Sequence, residues 1–353
     1  MNNVSSLAFE LTEQGLVPDA IIRRGIRHLL KQRLAEISAV DAQTMALRFN
    51  DFVSHMQAAP VALVPEKANE QHYELPPEFF QDVLGPALKY SCAYWADGER
   101  HLAGAERAAL EQTCEHARLD DHQDILELGC GWGSLSLWMA QHYPNSRITA
   151  VSNSQSQRRF VESQAQALGI DNLQILTFDM NDFAARVAHF DRVVSVEMFE
   201  HLRNWPEMYR RIAGWLKPGG LFFKHIFVHR AVPYAFEEQG PGDWMGQHFF
   251  SGGMMPSDDL PLAFQHHLNF KQRWRWDGTH YEKTANAWLA RLDQRRAQLW
   301  PLLRDTYGEP QAMAWFNRWR IFFMACAELF AYDRGQQWWV SHYLFEKPVS
   351  ARS

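Results

Sequence analysis

Residues 124–140, DILELGCGWGSLSLWMA, carry an apolar run, three glycines at alternate positions and then a helix-like pattern. The run is short enough to be a buried strand, and the glycines permit a tight turn with close approach of a ligand. The following residues open a helix. Further apolar strands succeed it, RITAVS (147–152), LQILTFD (173–179), DRVVSVE (191–197) and GLFFKHIF (220–227), with helical segments between most of them. This βαβ series implies an α/β fold, an open parallel Rossmann-like sheet with helices on both faces. LKPGG (216–220) reads as a helix stop followed by a tight turn.

Working outward, residues 1–65 form an N-terminal helical segment in which Ile21, Ile22, Ile26, Leu29, Leu30 and Leu34 fall near one face. A Pro-interrupted connector places a boundary near residue 65. Residues 66–232 form the nucleotide-binding core, and 233–353 a substrate-side region. In the latter, FKQRWRWD and QWWVSHYLFEKP look like the last strands of the sheet. The helical stretch between them, about 284 to 333, would roof the site as a lid.

At 353 residues the chain is large enough for a full core, and 46% hydrophobic with 22% charged residues is ordinary for a globular protein. A net charge of −6 argues against nucleic acid as a partner. No apolar run approaches a membrane span and no signal sequence is evident, so a cytoplasmic enzyme is expected. Cys92, Cys114, Cys130 and Cys326 lie far apart without a CxxC pair, which suggests neither a zinc site nor a disulfide framework. The aromatic residues, concentrated in the last third, imply either a large core or an aromatic pocket for an apolar substrate.

The loop Gly129-Cys130-Gly131-Trp132-Gly133 has GxGxG spacing, and SNSQSQ after the second strand lacks the acid that holds a dinucleotide ribose. A dinucleotide therefore fits poorly. With Glu127 before it, Asp179 after the third strand, EMFEH after the fourth and LKPGG before the fifth, the loop instead resembles that of class I S-adenosylmethionine-dependent methyltransferases. The resemblance implies cofactor contacts from Glu127, Gly129, Gly131, Gly133, Ser152, Asn153, Gln157, Asp179 and Met180. Asp179 would accept from the adenine amine, or merely cap a following helix. Ser152 and Gln157 stand where most of that superfamily has a ribose-binding acid.

YSCAYW, LELGCGWGSLS, VSNSQSQ, SVEMFEHLRNW and LKPGGLFFKHIF narrow the likeness to the cyclopropane fatty acid synthase superfamily. GDWMGQHFFSGGMMPS, DGTHYEKTANAWLARLD and WRIFFMACAELFAYDRGQQWWVSHYLFEK look like its coclaurine N-methyltransferase branch. By that resemblance Tyr90 and Ser91 lie near the cofactor's carboxylate, and His72-Tyr73 belong to a flap over it. Glu200 and His201 form an acid/base pair, and Glu197 holds the reacting amine. The synthases usually have Gly at that last position, so Glu197 favours an amine acceptor; its bland alternative is a salt bridge at the sheet edge.

Methyl transfer from a sulfonium needs an in-line nucleophile and a water-poor pocket, but no metal. A protonated amine must first lose a proton, which a histidine beside carboxylates can take near neutral pH, since the carboxylates favour its charged form. The alternative is a lipid enzyme in which bound bicarbonate serves as base. Cys92, His225 and Tyr281, with Glu200, resemble its bicarbonate cradle. Trp319 and Phe322, with Phe323, Glu328, Phe330 and Tyr332, are candidates for the substrate pocket or for plain packing. The expected cofactor is S-adenosylmethionine, leaving as S-adenosylhomocysteine, with bicarbonate only under the alternative. The expected partner is a small aromatic or apolar amine, or an unsaturated lipid under the alternative, with a homodimer left open.

Overall fold

A computed structural model of the protein describes residues 10–38, 41–63, 75–236 and 244–349. Helices α1 (Asp19–Ile37) and α2 (Ala42–Ala58) come first, then α3 (Pro77–Val83) and α4 (Leu102–His116) on either side of the YSCAYW loop. The alternation begins with β1 (Asp124–Leu128), all five of its residues buried, followed by α5 (Ser134–His142) and β2 (Arg147–Ser152). Then come α6 (Gln155–Ala167), β3 (Leu173–Thr177), β4 (Phe190–Val196), α7 (Trp205–Trp215) and β5 (Leu216–His229). Short strands β6 (Tyr234–Ala235) and β7 (Met254–Met255) bracket α8 (Trp244–His248). Strand β8 (Asn269–Trp276), helices α9 (Gly278–Gln294), α10 (Arg296–Tyr307) and α11 (Glu309–Ala331), and strand β9 (Trp338–Glu346) complete the chain. The boundary expected near residue 65 falls outside the described residues.

The main sheet runs β3-β2-β1-β4-β5-β9-β8. Its first five strands pair in parallel, and the two late strands add antiparallel beyond β5. Strand order reverses between β1 and β4, so the crevice beyond their C-terminal ends is the natural ligand site. Two local expectations change. LKPGG is the irregular start of β5 itself, Leu216 pairing with Phe190 and Gly219 turning at φ +76°. Residues 178–189 contain turns and no helix, so Asp179 has no helix to cap.

Alternation along β5 sends Phe222, Lys224 and Ile226 to one face, and Phe223, His225 and Phe227 to the other. Trp276, Tyr281, Trp288, Trp319 and Trp338 share one hydrophobic cluster under the helical lid, which accounts for much of the late aromatic content as core. Helix α1 packs Ile22, Ile26, Leu30 and Leu34 against this cluster. Ile21 and Leu29 stay 60% and 50% exposed, so the buried stripe is narrower than the sequence suggested. Arg23 and Arg27 fasten the helix to Glu328 of α11 at 2.9 and 2.7 Å. Among the described residues no helix is long and apolar enough to cross a membrane.

Candidate active site

The glycine loop closes the crevice from below. Gly129 has φ +81°, and a Cβ there would lie 2.6 Å from Cγ of Met198, so the loop packs directly on the EMFEH turn after β4. Gly131 has φ +51° with open space beside it. Above the loop lies a cleft of about 1240 Å³ of empty space, counted to its open mouth.

Of the predicted cofactor residues, Tyr90, Ser91, Glu127, Gly129, Gly131, Ser152, Asn153, Gln157, Asp179 and Met180 line the cleft. Gly133 instead starts α5 in the left-handed region, with Val161 where a side chain would go. His72-Tyr73 lie outside the described residues. Ser152 donates to Oε1 of Gln157 at 2.7 Å, which leaves Gln157 Nε2 buried without a partner among the described residues. Ser134 Oγ and Thr113 Oγ1, also on the wall, are buried and unpartnered in the same way. Buried polar atoms are rarely left so, and these three, with Trp132 Nε1 likewise unpartnered on the wall among the described residues, fit a polar ligand such as an adenosyl cofactor. Glu127 accepts from Ser136, and burial pushes its carboxyl up to about 7.

Glu197 and His201, from the turn on which the glycine loop packs, also line the cleft. Glu197 is the first residue after β4 and adopts φ +47°, a region costly for any residue with a side chain. Its carboxylate is held on both oxygens. Oε1 accepts from the Cys92 backbone N–H at 2.9 Å and meets Nε2 of His225 at 3.1 Å. Oε2 accepts from the Tyr281 hydroxyl at 2.6 Å. Burial raises its pKa, while Lys89, the hydrogen bonds from Cys92 and Tyr281, and His201 oppose that rise. Glu197 is therefore no sheet-edge salt bridge to a surface cation.

Glu200 is fully buried behind this wall, not on it. Its Oε1 accepts from Phe227 N–H at 2.8 Å, and Oε2 finds no partner among the described residues. Burial, then the nearby Glu197, push its carboxyl well above the usual range. His201 moves the opposite way. Burial brings it down to about 4 despite Glu197, so its imidazole is neutral at physiological pH. The expectation that the carboxylates would favour its charged form is thus corrected: desolvation outweighs them.

Cys92, His225 and Tyr281 meet around Glu197 as described. Trp319 and Phe322 do not line the cleft; Trp319 packs on Phe79 and Phe249, while Phe322 stacks on Phe249 at 4.4 Å. Phe322 comes near the site through Phe250, whose ring lies parallel to His201 at 5.8 Å. Sequence reasoning missed Lys89, a buried cleft-lining lysine that donates to Ser91 and, at 2.7 Å, to the Cys92 carbonyl. A lysine directly before YSCAYW, itself largely apolar, was the available signal. Among the described residues no cluster of His, Cys, Asp and Glu could hold a metal.

Comparison with known proteins agrees with this geometry. The model of the mycolic acid cyclopropane synthetase family matches residues 64–339. The (S)-coclaurine N-methyltransferase of Thalictrum flavum subsp. glaucum is 34% identical over 339 residues, covering 95% of this chain and 94% of its own. The cyclopropane-fatty-acyl-phospholipid synthase of Escherichia coli K12 is 30% identical over 275 residues, covering 77% and 66%. A crystal structure of coclaurine N-methyltransferase bound to N-methylheliamine and S-adenosylhomocysteine superposes with a TM-score of 0.93 at 32% identity, covering 97% of this chain and 99% of that one. The chain belongs to the mycolic acid cyclopropane synthetase family and is an S-adenosylmethionine-dependent methyltransferase, on the coclaurine N-methyltransferase side of that family.

Proposed function

We propose that the protein methylates the nitrogen of a small aromatic or apolar amine, with Glu197 and His201 acting on the acceptor. The observation that carries this is the occupancy of the donor set. Cys92 N–H, His225 and Tyr281 all converge on the chain's own carboxylate, Glu197. A lipid enzyme with bicarbonate as base would need those donors for the anion. Here they are committed, and a fixed carboxylate facing the cleft favours a cationic amine instead.

The cofactor supplies a methyl group on a sulfonium, a leaving group that needs no metal. Gln157 Nε2, Ser134 and Asp179 are suited to its polar groups, and Glu127 to its positive charge. Glu197 draws in the acceptor and orients its nitrogen toward the cleft. Neutral His201 takes the ammonium proton, and the resulting imidazolium faces Glu197. Glu200, accepting from the Phe227 amide, supports the turn that carries His201. Phe250 beside His201, with Phe227 and Phe236 packed on it, gives the acceptor an apolar, aromatic wall. The setting is proposed to be cytoplasmic.

The test uses radiolabelled S-adenosylmethionine with coclaurine, with heliamine and with liposomes of unsaturated phospholipid. Label is expected in the amines and not in lipid, with no effect of bicarbonate depletion. Labelled, bicarbonate-dependent lipid would overturn the reading.

A further inference from the structure

Behind the cleft, three imidazoles stand in a row that ends on Glu197. Nε2 of His225 meets Oε1 of Glu197 at 3.1 Å. Nδ1 of His225 meets Nε2 of His342 at 2.9 Å, the two residues being register partners on β5 and β9. Nδ1 of His342 then meets Nδ1 of His116, the last residue of α4, at 2.8 Å. His225 and His342 are fully buried. His116 is half-buried and stacks on Trp274 of β8 at 4.1 Å and 9°.

A neutral imidazole has one donor and one acceptor nitrogen. An ionised Glu197 can only accept, so His225 must carry its proton on Nε2. Its Nδ1 then accepts, which requires the proton of His342 to be on Nε2 as well. His342 Nδ1 in turn requires a donor, and His116 supplies it through Nδ1–H. Every link has a single consistent direction. The reverse direction would set a nitrogen lone pair against a carboxylate oxygen. Around the buried pair stand Glu197, Lys89 and His116, with Tyr281 and Cys92 beyond Glu197. Burial holds both His225 and His342 well below the usual imidazole range, so both stay neutral and the one-donor rule applies.

We propose that His342 and His116 are positioning residues for methyl transfer: through His225 they fix the donor that clamps the Glu197 carboxylate on the cleft wall. The inference rests on the role proposed above for Glu197. The row is a clamp and not a path for the substrate's proton. One passage would invert all three tautomers, and each ring would have to turn over before the next. His342 is wedged against Trp276 at 4.3 Å and Phe223 at 5.1 Å, and His225 against Trp276 at 5.3 Å.

The experiment compares wild type with His342→Phe, His342→Gln, His116→Phe and His116→Gln, all as full-length enzyme. Imidazole ¹⁵N shifts are read first, in the complex with S-adenosylhomocysteine. This needs no acceptor, so a wrong acceptor class shows separately, as absent turnover of coclaurine and heliamine. Wild type is expected to show His225 and His342 protonated on Nε2. His342→Phe should admit the Nδ1–H form of His225 and raise the KM for heliamine about tenfold, with the KM for S-adenosylmethionine within about twofold. His342→Gln should recover most of this, since an amide both donates to His225 and accepts from His116. His116→Phe keeps an aromatic stack on Trp274 but removes the last donor, so it tests the row even if His342→Phe does not fold. It should raise the amine KM severalfold, and His116→Gln should restore it. Wild-type His225 protonated on Nδ1, or an unchanged amine KM in folded His116→Phe, would overturn the proposal.

Discussion

The Tyr281 hydroxyl donates to Oε2 of Glu197 at 2.6 Å, while the Tyr281 ring stacks on Phe330 at 4.3 Å and 13°. One residue thus holds the carboxylate with its tip and the lid helix α11 with its face. Tyr281→Phe removes only the first function. A hydrogen bond to a charged group is worth about 1.5–3 kcal/mol, so kcat/KM for the amine should fall roughly ten- to hundredfold. Initial rates and calorimetry check this together: cofactor affinity should be unchanged, and equal loss of both would place Tyr281 in the fold alone.

Glu197→Gly separates strain from function. At φ +47° a side chain costs on the order of 1 kcal/mol or more, and glycine removes that cost. The same change strands three donors, Cys92 N–H, His225 Nε2 and the Tyr281 hydroxyl, around a carboxylate-shaped space. Amine turnover should collapse by about two orders of magnitude in a protein that still melts cooperatively. Added formate should then restore part of the rate by settling among those donors. A variant with unaltered amine kinetics would show that Glu197 does not touch the acceptor.

Short-range pattern made the parallel strands legible, because β1, β2, β4 and β5 are apolar runs bounded by turns. It also located the turn of Gly129 and Gly131, whereas the EMFEH turn was legible only through its resemblance to the methyltransferases. The clamp on Glu197 was not legible as a clamp. Cys92, His225 and Tyr281 come from three remote segments, and only the antiparallel return of β9 sets His342 behind His225. His201 failed for a different reason. Sequence gives its neighbours but not its desolvation, and burial proved the larger effect on its charge. Ile21 and Leu29 erred at the rim of a helical stripe, where spacing cannot say how wide the partner surface is.

Glu127 links pH to cofactor affinity. Its carboxyl, buried under Ser136, titrates near pH 7 in the free cleft, against 4.5 for an ordinary glutamate. The sulfonium cofactor favours the ionised form, so affinity should strengthen as pH rises toward 8 and weaken by up to about tenfold per unit below 7. Near pH 7 binding should release a fraction of a proton, visible by calorimetry in buffers of different ionisation enthalpy. The stability sign is opposite. A carboxyl with a raised folded pKa is at its most favourable below 4.5 and loses that stability as pH climbs through about 7. Glu127→Gln should therefore stabilise the cofactor-free protein at pH 8, by on the order of 3 kcal/mol, while it weakens cofactor binding.

His201 sets the acid limit of turnover. With its imidazole held down to about 4, the base stays unprotonated across pH 5–8. Because the acceptor enters as its ammonium ion, kcat/KM should show no acid limb near 6.5, the ordinary histidine value. His201→Ala should lower the rate about 10²–10⁴-fold, the usual worth of a positioned base, and leave cofactor affinity nearly intact. Glu200→Gln should do far less, because its buried Oε1 can keep the Phe227 amide as an uncharged acceptor. Glu200→Ala would instead free that amide and loosen the turn beneath His201. A larger loss in Glu200→Gln than in His201→Ala would reverse the two assignments, making the buried carboxyl the proton acceptor and the imidazole its support.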